Sequence, residues 1–343
     1  MKLEQSEQLF IKDLFEKSIE KNAINNCNLE NIEKLTGDAS TRRYYRISTD
    51  KDSYVACLDE PLAPEVKDSE FTCVHKILKE NGVRVPHLYD IDLKNGYLLE
   101  EDLGDVTLLR DLANIKDSEE EEKVYINCLD HLIKIHKIPT EKYSDKNFSK
   151  RAFDLSKLMF EIDFTIKHFV EGFLQYDLNK IEKEKIQHFF MLLCEEIASQ
   201  KRVLSHRDYH SRNVMVKEND LVIIDFQDAR MGLPQYDLVS LLEDSYYKLS
   251  GKSVDNLKKY YWDNASVDFG YSDFEQFCYL YDIMSIQRLF KAIGSFSYIY
   301  GTRNDVRYVK YIGVGFEKIK RLLLKYPKFS EFKILLSKIY YEN

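Results

Sequence analysis

Apolar and polar positions along the chain fall into two regimes. Residues 3–20 place Leu3, Phe10, Leu14, Phe15 and Ile19 at roughly helical spacing, which predicts an opening amphipathic helix. IEKLTGDASTRRYYRIS and YVACLDE then read as strands around Asp, Gly and Ser turn chemistry. Residues 65–81 predict one helix closed by Asn-Gly, and GYLLEEDLG is a further strand ending in an acidic turn. From about Asp105 the period changes to long helices over 118–137, 151–170, 179–199, 236–249 and 273–297. The main interruption is the strand-like pair VLSHRDYHSRNVMV and LVIIDF. This pattern predicts an α+β protein of two lobes, a small β-rich N-terminal lobe (1–102) and a larger helical C-terminal lobe (103–343). With no Pro/Gly/Ser-rich linker, the junction near Glu100–Gly104 is expected to form a cleft.

Composition narrows the class. With 44% apolar and 31% charged residues in 343, the chain has ample material for a buried core. A formal charge of -8 argues against nucleic-acid or membrane partners, whose footprint would be a basic face. Six scattered Cys, with no Cys-x-x-Cys pair, predict reduced core thiols. The charged start MKLEQSEQLF lacks an apolar signal core, so a cytoplasmic protein is expected. Nothing in the pattern fixes an oligomeric state.

The two interrupted strands carry the chemistry. HRDYHSRN is a loop between short β-prone runs, and LVIIDF is a buried strand ending at Asp225. A pair of carboxylates with an amide oxygen is a hard-oxygen set suited to Mg²⁺ beside phosphates, and it lacks the soft ligands that select zinc. An additional loop Asp can take the proton of an attacking alcohol. Phosphoryl transfer asks mainly for such positioning and charge neutralisation. His206-Arg207-Asp208 followed by Asn213 has the kinase catalytic-loop spacing.

HRDYHSRNVMV…VIIDFQDA resembles the catalytic segment of the aminoglycoside phosphotransferase and choline kinase superfamily, relatives of protein kinases. With LTGDASTRRYYRI, YLLEEDLGD, DFQDARMGLPQYDLVSLLEDSYY and QRLFKAIGSF, the likeness is closest to bacterial kinases of the anomeric hydroxyl of N-acetylmuramate and N-acetylglucosamine, which serve cell-wall recycling. It spans about residues 35 to 300. The resemblance implies a protein-kinase-like fold and an ATP- and Mg²⁺-dependent small-molecule kinase. Asp208 would be the base or orienting acid, and Asn213 and Asp225 would hold Mg²⁺. His206 and Arg207 would shape the loop, with Asp237 anchoring its backbone. His210 is open between loop packing and substrate contact, and Asp228 between a supporting and a surface role. The alternatives are a kinase of another hydroxyl (aminoglycoside, choline, homoserine or protein Ser/Thr) and a silent nucleotide-binding pseudokinase.

The N-terminal lobe departs from the protein-kinase pattern. GDAST stands in place of a Gly-rich loop, so backbone amides with the Ser40 and Thr41 hydroxyls are expected to meet phosphate. VACL puts Leu58 where a phosphate-binding Lys is expected, and DFQ replaces DFG. Arg42, Arg43 or Arg46 would supply the missing charge, the alternative being a solvated strand face. Backbone groups around Glu101–Leu103 are expected to face adenine. In QRLFKAIGSFSYIYGTR, Leu289, Ile293 and Phe296 recur at core spacing. Arg288, Lys291 and Arg303 are then candidates for a basic wall against a sugar carboxylate.

Overall fold

A computed structural model of the chain describes residues 2–35, 42–63, 65–271 and 273–342. Ser40 and Thr41 therefore lie outside the described residues. The fold is bilobal α+β, with a small β-rich N-terminal lobe and a larger helical C-terminal lobe, the architecture of protein kinases. Contacts divide the chain into one compact unit of Met1–Thr107 with Val214–Gln227 and another of Leu108–Asn213 with Asp228–Asn343. The first unit is thus discontinuous in sequence.

In the first unit, β1 (Leu29–Lys34), β2 (Arg43–Thr49), β3 (Ser53–Leu58), β4 (Leu88–Asp92) and β5 (Tyr97–Glu101) form one antiparallel sheet in the order β1-β2-β3-β5-β4. Side chains alternate between its faces. Tyr45, Ile47, Tyr54, Ala56, Leu58, Tyr97 and Leu99 form one core with Ile11, Leu14 and Phe15 of helix α1 (Lys2–Glu20). Helix α2 (Glu70–Glu80) starts at a reciprocal capping box, Ser69 with Thr72. The hairpin β6 (Val214–Lys217) and β7 (Asp220–Ile223) completes the unit. Its two-residue turn, Glu218-Asn219, has φ of 53° and 67° at the two positions, the hand that follows strand twist.

In the second unit a strand pair, Val203–Ser205 with Arg230–Gly232, is embedded among helices. The strands flanking HRDYHSRN are therefore not partners of each other. The helices that build the site are α3 (Ser118–His136), α4 (Leu155–Thr165), α5 (Pro234–Leu242) and α6 (Phe274–Arg303). Helix α4 continues into a π-helical stretch, Ile166–Phe173. Gly294 of α6 lies against Thr165, where a Cβ would stand 2.3 Å from Thr165 Oγ1 and 2.8 Å from its Cα. Only glycine lets the two helices approach this closely.

Candidate active site

The catalytic loop is fastened from several sides within the second unit. Asp237, fully buried near the start of α5, accepts hydrogen bonds from the His206 N–H at 2.7 Å and the Arg207 N–H at 2.9 Å. Its Oδ2 also faces His136 Nε2 at 3.3 Å, and Tyr261 holds the other nitrogen of that ring at 2.7 Å. These bonds hold Arg207 at φ 84°, a left-handed conformation that costs a non-glycine residue on the order of 1–2 kcal/mol. Tyr209 is buried and donates to the Cys128 carbonyl. Ser211 donates through both its N–H and its hydroxyl to Asp244. Asn213 Nδ2 donates to the Asp208 carbonyl at 2.9 Å, which ties the two ends of the loop together.

So held, Asp208 faces a cavity of about 190 Å³ between α5 and α6, lined also by His210, Ser240, Tyr246, Lys291 and Phe296 among others. Burial alone would raise the Asp208 pKa, but Lys291, Arg207, Arg288 and His210 outweigh it and hold the carboxyl well below the usual range. These neighbours favour its charged form. Burial pushes the Lys291 ammonium down, against the pull of Asp208 and Glu161. His210 is lowered by burial too, and its Nδ1 has no hydrogen-bond partner among the described residues. Arg207 is ion-paired with Asp228, and its Nε lies 3.5 Å from Asp208.

The basic residues expected at the substrate separate into three environments. Arg288 is committed to the protein, donating to the Arg207 carbonyl at 3.0 Å and Ser240 Oγ at 2.8 Å while lying over the Tyr236 ring. Lys291 opens onto the cavity. Arg303 ends α6, exposed and outside the cavity lining. Twelve residues at 1.5 Å rise put it ~18 Å beyond Lys291 along the axis.

In the first unit, the three arginines separate as well. Arg43 pairs with Glu7 of α1 at 2.8 Å. Arg46 forms paired hydrogen bonds with Asp102 and further bonds with Asp105. Arg42 pairs with Asp59 and lies 5.0 Å over the Phe71 ring of α2. Leu58 belongs to the α1 core, so it does not stand on the Arg42 face at all. Cys57 does, beside Tyr44, Glu100 and Arg42. The Glu101 side chain is spent on Arg84 at 2.6 Å and Lys217 at 3.0 Å, and its N–H on the His87 carbonyl. Leu103 is half-buried after it. Asp225 sits at φ 63° just after β7, and Gln227 donates to its Oδ1 at 2.8 Å.

Asn213 and Asp225 each carry a hard oxygen of the kind Mg²⁺ takes. The donor chemistry fits that ion. Sequence reasoning missed Asp244, which fixes Ser211 from 33 residues away, and the cavity ring Tyr246, and it read Phe296 as core only, whereas the ring also lines the cavity. The only signal for them was the aromatic-rich SLLEDSYY and QRLFKAIGSF segments.

Comparison with known proteins gives a consistent relationship. Residues 31–271 match the model of the phosphotransferase enzyme family (APH). An N-acetylmuramate/N-acetylglucosamine kinase of Pseudomonas aeruginosa is 30% identical over 307 residues, 89% of this chain and 87% of that protein. A kinase of the same description from Pseudomonas putida is 28% identical over 306 residues, again 89% and 87%. Among solved structures, choline kinase LicA from Streptococcus pneumoniae has a TM-score of 0.57 at 16% identity, covering 92% of this chain and 100% of that one. The gentamicin–APH(2")-IIa complex has 0.59 at 14%, covering 90% and 94%. Among the described residues, no helix is long and apolar enough to cross a membrane.

Proposed function

The chain belongs to the phosphotransferase enzyme family, and on that premise we propose that it transfers the γ-phosphoryl group of ATP to the anomeric hydroxyl of N-acetylmuramate or N-acetylglucosamine. We place this activity in the cytoplasm, in the reuse of cell-wall amino sugars. The observation that carries the choice of acceptor is the charge of the α5–α6 cavity. Of its acids, Glu243 is paired with Lys318 at 3.0 Å and Asp244 is spent on Ser211, which leaves Asp208. Lys291 opens onto the same space. A cationic aminoglycoside or choline would meet that ammonium at close range. A neutral sugar hydroxyl would not be repelled, and Tyr246 and Phe296 offer rings to the C–H faces of a sugar.

In this reading Asp208, held ionised by its basic neighbours, orients the acceptor hydroxyl and receives its proton. Asn213 and Asp225 hold Mg²⁺, which when bound neutralises charge on the phosphates. Arg42, the most enclosed of the three arginines, supplies the charge that the missing strand Lys would have given. The carbonyl of Glu101 and the backbone of Leu103 receive the nucleobase. Supporting the loop from behind are His206, Arg207, Asp237 and Arg288.

The test is to incubate the protein with Mg·ATP and a panel of sugars, aminoglycosides, choline and homoserine, following ADP release and product mass. Turnover with either amino sugar, and loss of reducing-end reactivity in the product, is expected. Asp208→Ala should lower kcat by about 10²–10⁴-fold with the fold intact. ATP binding without turnover of any acceptor would mean a nucleotide-binding module instead.

A further inference from the structure

Two opposite charges line the α5–α6 cavity without joining. Asp208 and Lys291 both face it, yet the Lys291 ammonium makes neither a hydrogen bond nor an ion pair with any described residue. Its neighbours are already committed. Arg207 holds Asp228, Arg288 holds the Arg207 carbonyl and Ser240, and Glu161 is engaged by Gln287 at 3.1 Å and Lys157 at 3.5 Å. Gly294, one turn along α6, seats the helix that carries Lys291 directly on Thr165.

A ligand between a carboxylate and an ammonium must satisfy both. A cation would suit Asp208 and be repelled by Lys291. An anion would suit Lys291 and be repelled by Asp208. A hydroxyl suits both, donating its hydrogen to the carboxylate and accepting from the ammonium on its lone pair. Charge develops on that same oxygen as its proton leaves, and a donor already aimed there stabilises the transition state more than the ground state.

We propose that Lys291 is a second catalytic residue, whose ammonium donates a hydrogen bond to the acceptor oxygen opposite Asp208. The proposal rests on the kinase reading above. In the step, the acceptor oxygen bonds to the γ-phosphorus of ATP and the bond from that phosphorus to the β,γ-bridging oxygen breaks. The electron pair of that bond leaves with ADP, and the hydroxyl proton passes to Asp208. Lys291 keeps its own protons throughout. This role differs from that of a handle for a sugar carboxylate, which would act on binding and only for acidic acceptors.

The experiment compares wild type, Lys291→Met and Lys291→Arg in the full chain, with N-acetylglucosamine and N-acetylmuramate at saturating Mg·ATP. Single-turnover rates and acceptor KM are read for each. For Lys291→Met the rate should fall on the order of 10²-fold with both sugars, as for loss of one oxyanion donor, while KM moves less than about threefold. Lys291→Arg should recover at least about a tenth of the wild-type rate, since it restores a charged donor. An unchanged rate overturns the proposal, and so does a rise in KM confined to N-acetylmuramate, which would make Lys291 a carboxylate handle. Should Lys291→Met fail to fold, Lys291→Gln is read by the same criteria. If wild type phosphorylates another alcohol, that alcohol serves as acceptor. Wild type that phosphorylates nothing overturns the kinase reading and this role together, whereas active wild type with an equally active variant overturns this role alone.

Discussion

Asp237 spends both carboxylate oxygens on the backbone that leads into Asp208, and that use is costly to lose. Asp237→Ala leaves the His206 and Arg207 N–H groups buried without their acceptor. At about 1–3 kcal/mol for each orphaned donor, the loss is on the order of 2–6 kcal/mol. The left-handed Arg207 would relax once released, and Asp208 follows it directly in the chain. Asp237→Ala is therefore expected to lower both the midpoint of denaturant unfolding and kcat, while Asp208→Ala lowers kcat alone. Equal unfolding midpoints for wild type and Asp237→Ala would refute the anchoring role. The spacing of His206, Arg207, Asp208 and Asn213 made the loop legible in the sequence. Arg288 and Lys291 were not separable there, because both are basic residues one helical turn apart on α6. What divides them is Ser240 and the Arg207 carbonyl, which capture only Arg288. Asp244 was hidden for a similar reason, since an acid inside the helix expected over 236–249 reads as an ordinary surface residue, whereas the helix ends at Leu242.

Elements carry the next layer of constraint, and the β6–β7 hairpin shows how. It is tied to the sheet by Lys217, whose ammonium meets Glu101 at 3.0 Å and the Asp102 carbonyl at 2.9 Å. Burial would raise the Glu101 pKa, but Arg84, the His87 N–H and Lys217 outweigh it and hold it at about 2, against an ordinary 4.5. A carboxyl depressed in the folded state contributes its stability in full above the unfolded value. That contribution fades as pH falls from about 4.5 toward 2. Allowing for solvent around the cluster, it is on the order of 1–2 kcal/mol. Glu101→Gln should thus be less stable than wild type at pH 7, with the difference in thermal midpoint vanishing near pH 2. A difference that stays constant across that range would show that Glu101 does not carry the charge of the cluster. The hairpin strands were legible from their apolar runs and the helices from their period. The tie was not, because Lys217 and Glu101 are 116 positions apart.

At the scale of the whole molecule, long-range returns of the chain decide what a folding unit is. The sequence pattern supports a boundary near residue 102, where strand period gives way to helix period, and periodicity carries no information about which sheet a later hairpin joins. In the structure the hairpin supplies the first unit with backbone bonds from Val216 N–H to the Val106 carbonyl and from Ile223 N–H to the Arg84 carbonyl. Thr107 bridges to Met215, and Phe226 stacks on Phe71 with ring centroids 4.9 Å apart. A fragment ending at Thr107 would leave those carbonyls, the Glu101 cluster and one face of Phe71 open to water. Such a fragment has unpaired edge groups and exposed apolar surface, the properties that favour association over folding. Residues 1–107 alone are expected to be aggregated or partly unfolded by circular dichroism and sedimentation. The Thr107–Met215 bridge sets the two ends side by side, so a linker of roughly four to six residues suffices to append 214–227 directly. That fusion should be monomeric and unfold cooperatively. If 1–107 folds as well without the hairpin as with it, the first unit is a contiguous domain and the hairpin merely rests upon it.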